Sequence, residues 1–392
     1  MALPLSHVTV VALEQAIAAP LATRHLADLG ARVIKVERPG SGDFARHYDA
    51  AARGLCSHFA WANRSKESIT LDLKAAGGKE ILGKLLEQAD VFVQNLAPGA
   101  VERLGFDDER LRGDYPDLIV CHVSGYGADG PYRDKKAYDL LVQAETGVVA
   151  VTGSEEAAAK SGIPVADIAG GMYAYSSILA ALLQRERDGG GCVLHVSLFD
   201  GLCDWMGFPA YYALGETPLP RTGASHAAIA PYGPYAAGDG RTILFSIQSQ
   251  REWEQFCAVV LEKPGLASDV RFADNTRRVR NRAALQKEIE SVFAGMTAKQ
   301  VAERMERGQI AYAEQRELEE FWEHPQLAAR GRVAEVGSPV GPLPALLPAT
   351  VNGTWPPRFE SIPATGEHTR ALMAELGYGS EAIEGLERDG VV

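Results

Sequence analysis

The stretch from Val8 to Glu37 constrains the fold most. "VTVVAL" is a short apolar run. "APLATRHLADLG" repeats its apolar residues at helical spacing and stops on Gly30. "ARVIKVE" is a second apolar run. A strand, a helix and a strand in so little chain form a crossover rather than a hairpin, so the two strands run parallel. The alternation continues. "SITLDL", "DVFVQNL", "LIVCHVSGYG" and "CVLHVS" read as strands. "AGGKEILGKLLEQA", "ERLRGDYP" and a long helix holding Ala174 to Arg187, closed by "DGGG", lie between them. Residues 1–205 are therefore predicted to form an α/β, doubly wound, Rossmann-like large domain around a parallel sheet.

Beyond it the composition shifts to Pro, Gly and Tyr, and 206–235 reads as a connector. Residues 236–330 are predicted to form a smaller α+β domain. It starts with the strand "RTILFSI" and includes two amphipathic helices in "RAALQKEIESVFAGMTAKQVAERMERG". "GSPVGPLPALLPATVNGTWPPRF" reads as irregular, and the tail returns to helix.

A net charge of −12, with no basic run longer than three residues, argues against a nucleic-acid partner. "MALPLSHVTVVAL" lacks a basic leader and a small-residue cleavage site, and no apolar run reaches transmembrane length. No membrane association is expected. The five cysteines are scattered, without CxxC and without histidines at metal-ligand spacing, so no metal site and a reducing, cytoplasmic setting are expected.

Three nucleotide or hydrolase motifs fail. "GYGADG" (Gly125–Gly130) matches GxGxxG after a strand, but Pro131 follows and no helix opens there. A nucleophile elbow needs a glycine two residues before its serine. "HVSGYG" has no glycine ahead of Ser124, so GxSxG is absent. No P-loop occurs. What remains is a group of basic and polar residues at or just after strand ends: Lys35 to Asp43, Asn63 to Lys66, Gln94 to Gly99, Arg103, and Lys135 to Asp139. Together they suggest an extended anionic ligand. "SGIPVADIAGGMYAYSSILAALLQRE" adds a lone acid, Asp167, at the mouth of an apolar helix and just ahead of Gly170–Gly171. It reads either as a first-turn cap or as a nucleophile with open space beside it.

These blocks resemble the class III CoA-transferases, the family of formyl-CoA transferase, carnitine CoA-transferase and the α-methylacyl-CoA racemases. The resemblance runs through "AAPLATRHLADLGARVIKVERPGSGDFAR", "NRSKESITLDLK", "NLAPGAVERLGF", "LIVCHVSGYGADGPY", "VADIAGGMYAYSSILAALLQRERDGGG" and "APYGPY". It implies Asp167 as the catalytic nucleophile. It puts Arg38, Lys66, Asn95, Arg103, Lys136, Ala137 and Tyr138 at the CoA site, and Ile17, Arg46 and His226 at the substrate pocket, with Arg24 a further cation for a second carboxylate.

The resemblance further implies that 335–392 completes the large domain and that two chains interlock as a homodimer. Coenzyme A thioester is then a substrate, with no permanently bound cofactor. The racemase branch has a histidine where this chain has Tyr138, and a phenol with an ordinary pKa near 10 is a poor base at neutral pH. Transfer is therefore the expected reaction, with 2-methylacyl-CoA racemisation or epimerisation as the alternative. Ile17 replaces the glutamine of formyl-CoA transferase, and "GASHAAIAPYG" replaces its glycine-rich loop. The blocks look most like the branch that moves CoA from succinyl-CoA to C4 and C5 dicarboxylates such as itaconate, mesaconate or citramalate.

Overall fold

The computed structural model describes residues 2–216, 218–350 and 353–392. The chain forms two compact units. The first takes the residues up to Thr146, Gly162–Gly207 and Pro325–Val392, and the second takes Gly147–Ser161 and Phe208–His324.

In the first unit, β1 (Thr9–Leu13), α1 (Ala18–Asp28), β2 (Arg32–Glu37), α2 (Ser57–Ala62), β3 (Lys66–Thr70), α3 (Ala76–Leu86) and β4 (Val91–Gln94) follow one another. Then come α4 (Ala100–Leu104), α5 (Asp108–Asp114), β5 (Ile119–Ser124) and α6 (Asp139–Glu145). After α7 (Val148–Val151), which lies in the second unit, α8 (Val165–Asp188), β6 (Val193–Ser197) and α9 (Leu198–Trp205) return to the first. The six strands lie in the order β3-β2-β1-β4-β5-β6, and every neighbouring pair is parallel. This is the doubly wound α/β order, whose direction reverses between β1 and β4.

Burial follows from that wrapping. Val10, Val11 and Ala12 of β1 and Val91, Phe92 and Val93 of β4 are fully buried, as continuous apolar strands covered on both faces must be. The C-terminal tail covers the β3 side of the sheet. His368 N–H donates to the Ser68 carbonyl, Thr70 N–H to Thr369 Oγ1, and Asp72 N–H to the Val391 carbonyl. That last bond takes Asp72 out of the strand predicted for "SITLDL".

α8 starts at Val165, well before the predicted Ala174, and carries both glycines in its first two turns. A Cβ on Gly171 would lie 2.6 Å from the Ala18 carbonyl oxygen, and one on Gly170 would lie 2.4 Å from Leu198. The glycines therefore let α8 pack closely on α1 and α9, which offsets their helix cost. They do not clear space for a ligand, contrary to the sequence reading. α8 is also long and apolar enough to cross a membrane by length and composition, with a mean hydropathy of 1.3 over its best window. Its Ala166, Ala169, Ala174, Ile178 and Leu182 are instead buried in the fold. The Pro-rich segment read as irregular holds an antiparallel hairpin, β10 (Val333–Val336) with β11 (Leu343–Leu346).

The second unit is α+β. β7 (Tyr232–Ala236), β8 (Thr242–Ser246) and β9 (Ala311–Glu314) form an antiparallel sheet. Its own core joins Phe245, Trp253, Phe256, Phe272, Phe293, Val301 and Met305. Two of its helices begin with capping boxes, Ser249 with Glu252 and Thr297 with Gln300.

Candidate active site

In a doubly wound sheet, ligands bind beyond the carboxyl ends of the strands, where the order reverses. A cleft of about 640 Å³ lies there, lined among others by Leu13, Gln15, Arg38, Ser41, Lys74 and Arg103. Arg38, Lys74 and Arg103 are exposed and form no ion pair among the described residues. Arg103 reaches the Pro98 carbonyl at 3.5 Å. These cations can meet a polyanion without first leaving a carboxylate.

Beneath the cleft the β1–α1 turn is held by side chains. Ala16 takes φ 62°, a conformation that costs a non-glycine residue energy and needs support. Its N–H donates to Asp43 Oδ1 at 3.1 Å. Gln15 N–H donates to Asn95 Oδ1, and Asn95 Nδ2 donates back to the Gln15 carbonyl, both at 2.8 Å. Asn95 thus fixes the turn.

Lys66, the second residue assigned by resemblance to the CoA site, is buried. Its ammonium donates to Glu14 Oε1 at 2.6 Å, the Pro20 carbonyl at 2.9 Å and Asn63 Oδ1 at 3.0 Å, which accounts for all three hydrogens. Lys35 bridges Asp43 Oδ2 (2.8 Å) and Glu14 (3.4 Å). Arg46 forms a two-pronged pair with Glu37 at 2.8 and 2.7 Å and stacks 3.7 Å over Phe59. Three acids, Glu14, Glu37 and Asp43, face three bases, Lys35, Lys66 and Arg46. Burial pulls the Lys66 ammonium down to about 7, against the pull of Glu14 and with added repulsion from Lys35. Arg24 is likewise committed inside the unit, 3.7 Å from Asp28. Ile17 is buried just ahead of α1.

α8 is the last crossover before β6, so its first turn also lies at the carboxyl edge of the sheet. Asp167 stands in that turn, half-buried. Burial pushes its carboxyl up to about 7, and the charge of Asp139 pushes the same way. This corrects the expectation that the helix terminus and basic neighbours keep it fully ionised. Asp139 Oδ1 accepts from Ala166 N–H at 2.8 Å and Asp167 N–H at 3.3 Å. The first-turn amides, expected to be free for a developing oxyanion, are therefore occupied. Ala137 packs on Gly125, where a Cβ would lie 2.1 Å from the Ala137 Cβ. Lys136 and Tyr138 flank it and are exposed. Tyr48, pushed up to about 12 by burial and then by Asp43 and Asp167, joins this surface. His226 lies in the second unit, stacked on Tyr232 at 5.2 Å between ring centres.

The sequence reading assigned no role to Asp139, Tyr48, Glu14 or Gln15. Their partners lie far away in the chain, and no local motif marks them.

The fold is that of a doubly wound α/β protein with a cationic cleft at its switch point and a lone acid on the neighbouring crossover helix. The chain belongs to CoA-transferase family III, which it matches over residues 5–369, and it is a CoA-transferase. It is 33% identical to the mouse succinyl-CoA:glutarate CoA-transferase over 99% of this chain and 90% of that protein. It is 31% identical to the succinyl-CoA:mesaconate CoA-transferase of Haloarcula hispanica over 96% of this chain and 97% of that one. A CAIB/BAIF family protein from Brucella suis superposes with a TM-score of 0.85 and 30% identity, over 96% of this chain and 100% of that one.

Proposed function

We propose that the protein moves CoA from succinyl-CoA to a free C5 dicarboxylate, with Asp167 as nucleophile. One observation carries the reading. Asp167 is a half-buried carboxylate whose only strong charged neighbour is another acid, and among the described residues no side chain donates a hydrogen bond to it. A carboxylate without donors keeps its electron pairs for attack, and a raised pKa makes it a stronger nucleophile. The free cations of the adjacent cleft suit the phosphates of CoA, with Arg38 and Arg103 offering two-pronged contacts. Asn95 and Lys66 act in this reading by holding the β1–α1 turn that floors the cleft. The relatives named for glutarate and mesaconate, and a citramalate transferase at 30% identity, support a C5 dicarboxylate acceptor, itaconate included.

The reaction runs in two exchanges. An Asp167 oxygen attacks the thioester carbonyl of succinyl-CoA. The C–S bond breaks, giving a mixed anhydride and CoA thiolate. The thiolate attacks the aspartyl carbonyl, which releases succinate and leaves an aspartyl-CoA thioester. The acceptor carboxylate attacks that thioester and expels CoA thiolate. The thiolate then takes the acceptor's acyl group from the new anhydride and frees Asp167. Each step trades one activated acyl bond for another, so the thioester's energy is conserved. The exposed side chains of Phe208, Tyr211 and Leu214 are consistent with a second copy of the chain covering them in a homodimer.

The test is transfer with an acceptor carboxylate labelled with oxygen-18. The expected result is a new acyl-CoA, made by wild type and not by Asp167→Asn, with label carried into the Asp167 peptide. Transfer without label in that peptide would place the nucleophile elsewhere.

A further inference from the structure

Asp49, Cys56 and His58 bring one oxygen, one sulfur and one nitrogen within 4.8 Å of one another. Asp49 Oδ2 stands 3.5 Å from Cys56 Sγ and 3.4 Å from His58 Nδ1. Zinc bonds of about 2.3 Å to sulfur and about 2.0 Å to nitrogen and oxygen, at tetrahedral angles, require edges of about 3.5 Å and 3.3 Å. Two edges of a tetrahedral face are therefore already set. The aspartate is fixed for single-oxygen ligation: Ala51 N–H and Ser57 N–H both donate to its Oδ1 at 2.9 Å, which leaves Oδ2 turned toward the sulfur and the ring. Besides the thiol, Oδ2 accepts from Ser57 Oγ at 2.7 Å, a hydroxyl that can rotate away.

Cys56 is buried, while the His58 and Asp49 side chains are 42% and 29% exposed, so an ion can enter from the solvent side. The sequence reading found no histidine at metal-ligand spacing. It passed over Cys56 and His58, two residues apart, because their third partner lies seven residues before the cysteine across a turn.

We propose that Asp49, Cys56 and His58 bind one thiophilic divalent cation of the zinc class, with water in the fourth position. A sulfur, an imidazole and a single carboxylate oxygen favour zinc or cobalt over magnesium or calcium, which take oxygen ligands. Three protein ligands leave one position open. The ion fastens the segment before α2 to the first turn of that helix. It also fixes the His58 ring, on which Tyr48 packs edge-on at 5.6 Å.

The test uses the full chain, stripped with chelator and kept reduced. Zinc chloride is titrated by calorimetry and cobalt chloride by visible absorption. One zinc per chain is expected, together with a thiolate-to-cobalt charge-transfer band and a zinc-dependent rise in the thermal midpoint. Cys56→Ser loses the band and weakens zinc binding by more than about tenfold, the loss that even an outer-shell change can cause. His58→Gln, on the exposed side, weakens zinc binding but keeps the band, and Cys203→Ser changes neither. Equal binding by wild type and Cys56→Ser, a cobalt spectrum without thiolate character, or no binding at millimolar metal overturns the proposal. Should Cys56→Ser fail to fold, unchanged zinc affinity in His58→Gln overturns it equally.

Discussion

Two acidic regions of the first unit lie at the same edge of the sheet and are built in opposite ways. Under the β1–α1 turn, Glu14, Glu37 and Asp43 are matched by Lys35, Lys66 and Arg46, with contacts between 2.6 and 3.4 Å. At the mouth of α8, Asp167 faces Asp139 and has no cation against it. The paired region fixes geometry, because each charge left alone there is expensive. The unpaired region holds a carboxylate near its point of titration, which suits chemistry more than stability. One stretch of sheet edge thus carries a rigid floor and a reactive acid side by side.

The largest expected effect is on Asp167 itself. Asp167→Asn lowers transfer by at least about a thousandfold, the order seen when a covalent nucleophile is removed. CoA binding by calorimetry stays unchanged, because the floor is intact. Retained turnover would make the contrast between the two regions chemically irrelevant.

Breaking the floor comes next. Lys35→Met leaves Glu14 and Asp43 short of a buried partner and costs about 3–5 kcal/mol in urea unfolding. A cost under about 1 kcal/mol would mean the six charges do not act as a balanced set.

The same Asn variant also tests stability. In the folded chain the Asp167 carboxyl keeps its proton up to about pH 7, against an ordinary value of 3.8. A raised acid pKa makes wild type lose stability as pH climbs through that window, while Asn has no charge to bury. Asp167→Asn is therefore more stable than wild type at pH 8, by at most roughly 4 kcal/mol and by less once solvent screens the charge. The difference vanishes near pH 4. Equal melting curves at pH 8 would show that Asp167 is not held in a raised state.

A smaller effect separates the two causes of that state. Asp139→Asn keeps an oxygen for the Ala166 and Asp167 amides but removes the like charge. The rising limb of kcat/KM against pH, expected near 7 in wild type, moves toward acid by about one unit or less, since burial remains. No movement would leave burial as the whole cause. Smallest of all, Arg38→Ala and Arg103→Ala raise KM for acyl-CoA by about three- to tenfold each, more at low salt than at high salt. A salt-independent change would point to lost packing instead of lost charge.

How much of this was legible in the chain follows from distance along it. The order of strands and helices in the first unit rests on apolar periodicity and on caps, which relate residues a few positions apart. That is why "VTVVAL" and "ARVIKVE" read as parallel strands and why Asp167 read as a helix-start acid. The glycines beside Asp167 could be seen but not interpreted, because their close neighbours, Ala18 and Leu198, lie on other elements. Lys66 looked like a surface cation for the same reason. Its partner Glu14 is 52 residues away, and Asn95 is 80 from the turn it holds.

The sequence by itself determined the doubly wound sheet, the family and the position of the lone acid, since these depend on local pattern and motif. Only the tertiary structure decided which charges are free and which are matched, and whether the acid at α8 stays ionised. Those properties depend on burial and on the nearest opposite charge, and folding brings both from residues 27 or more positions away.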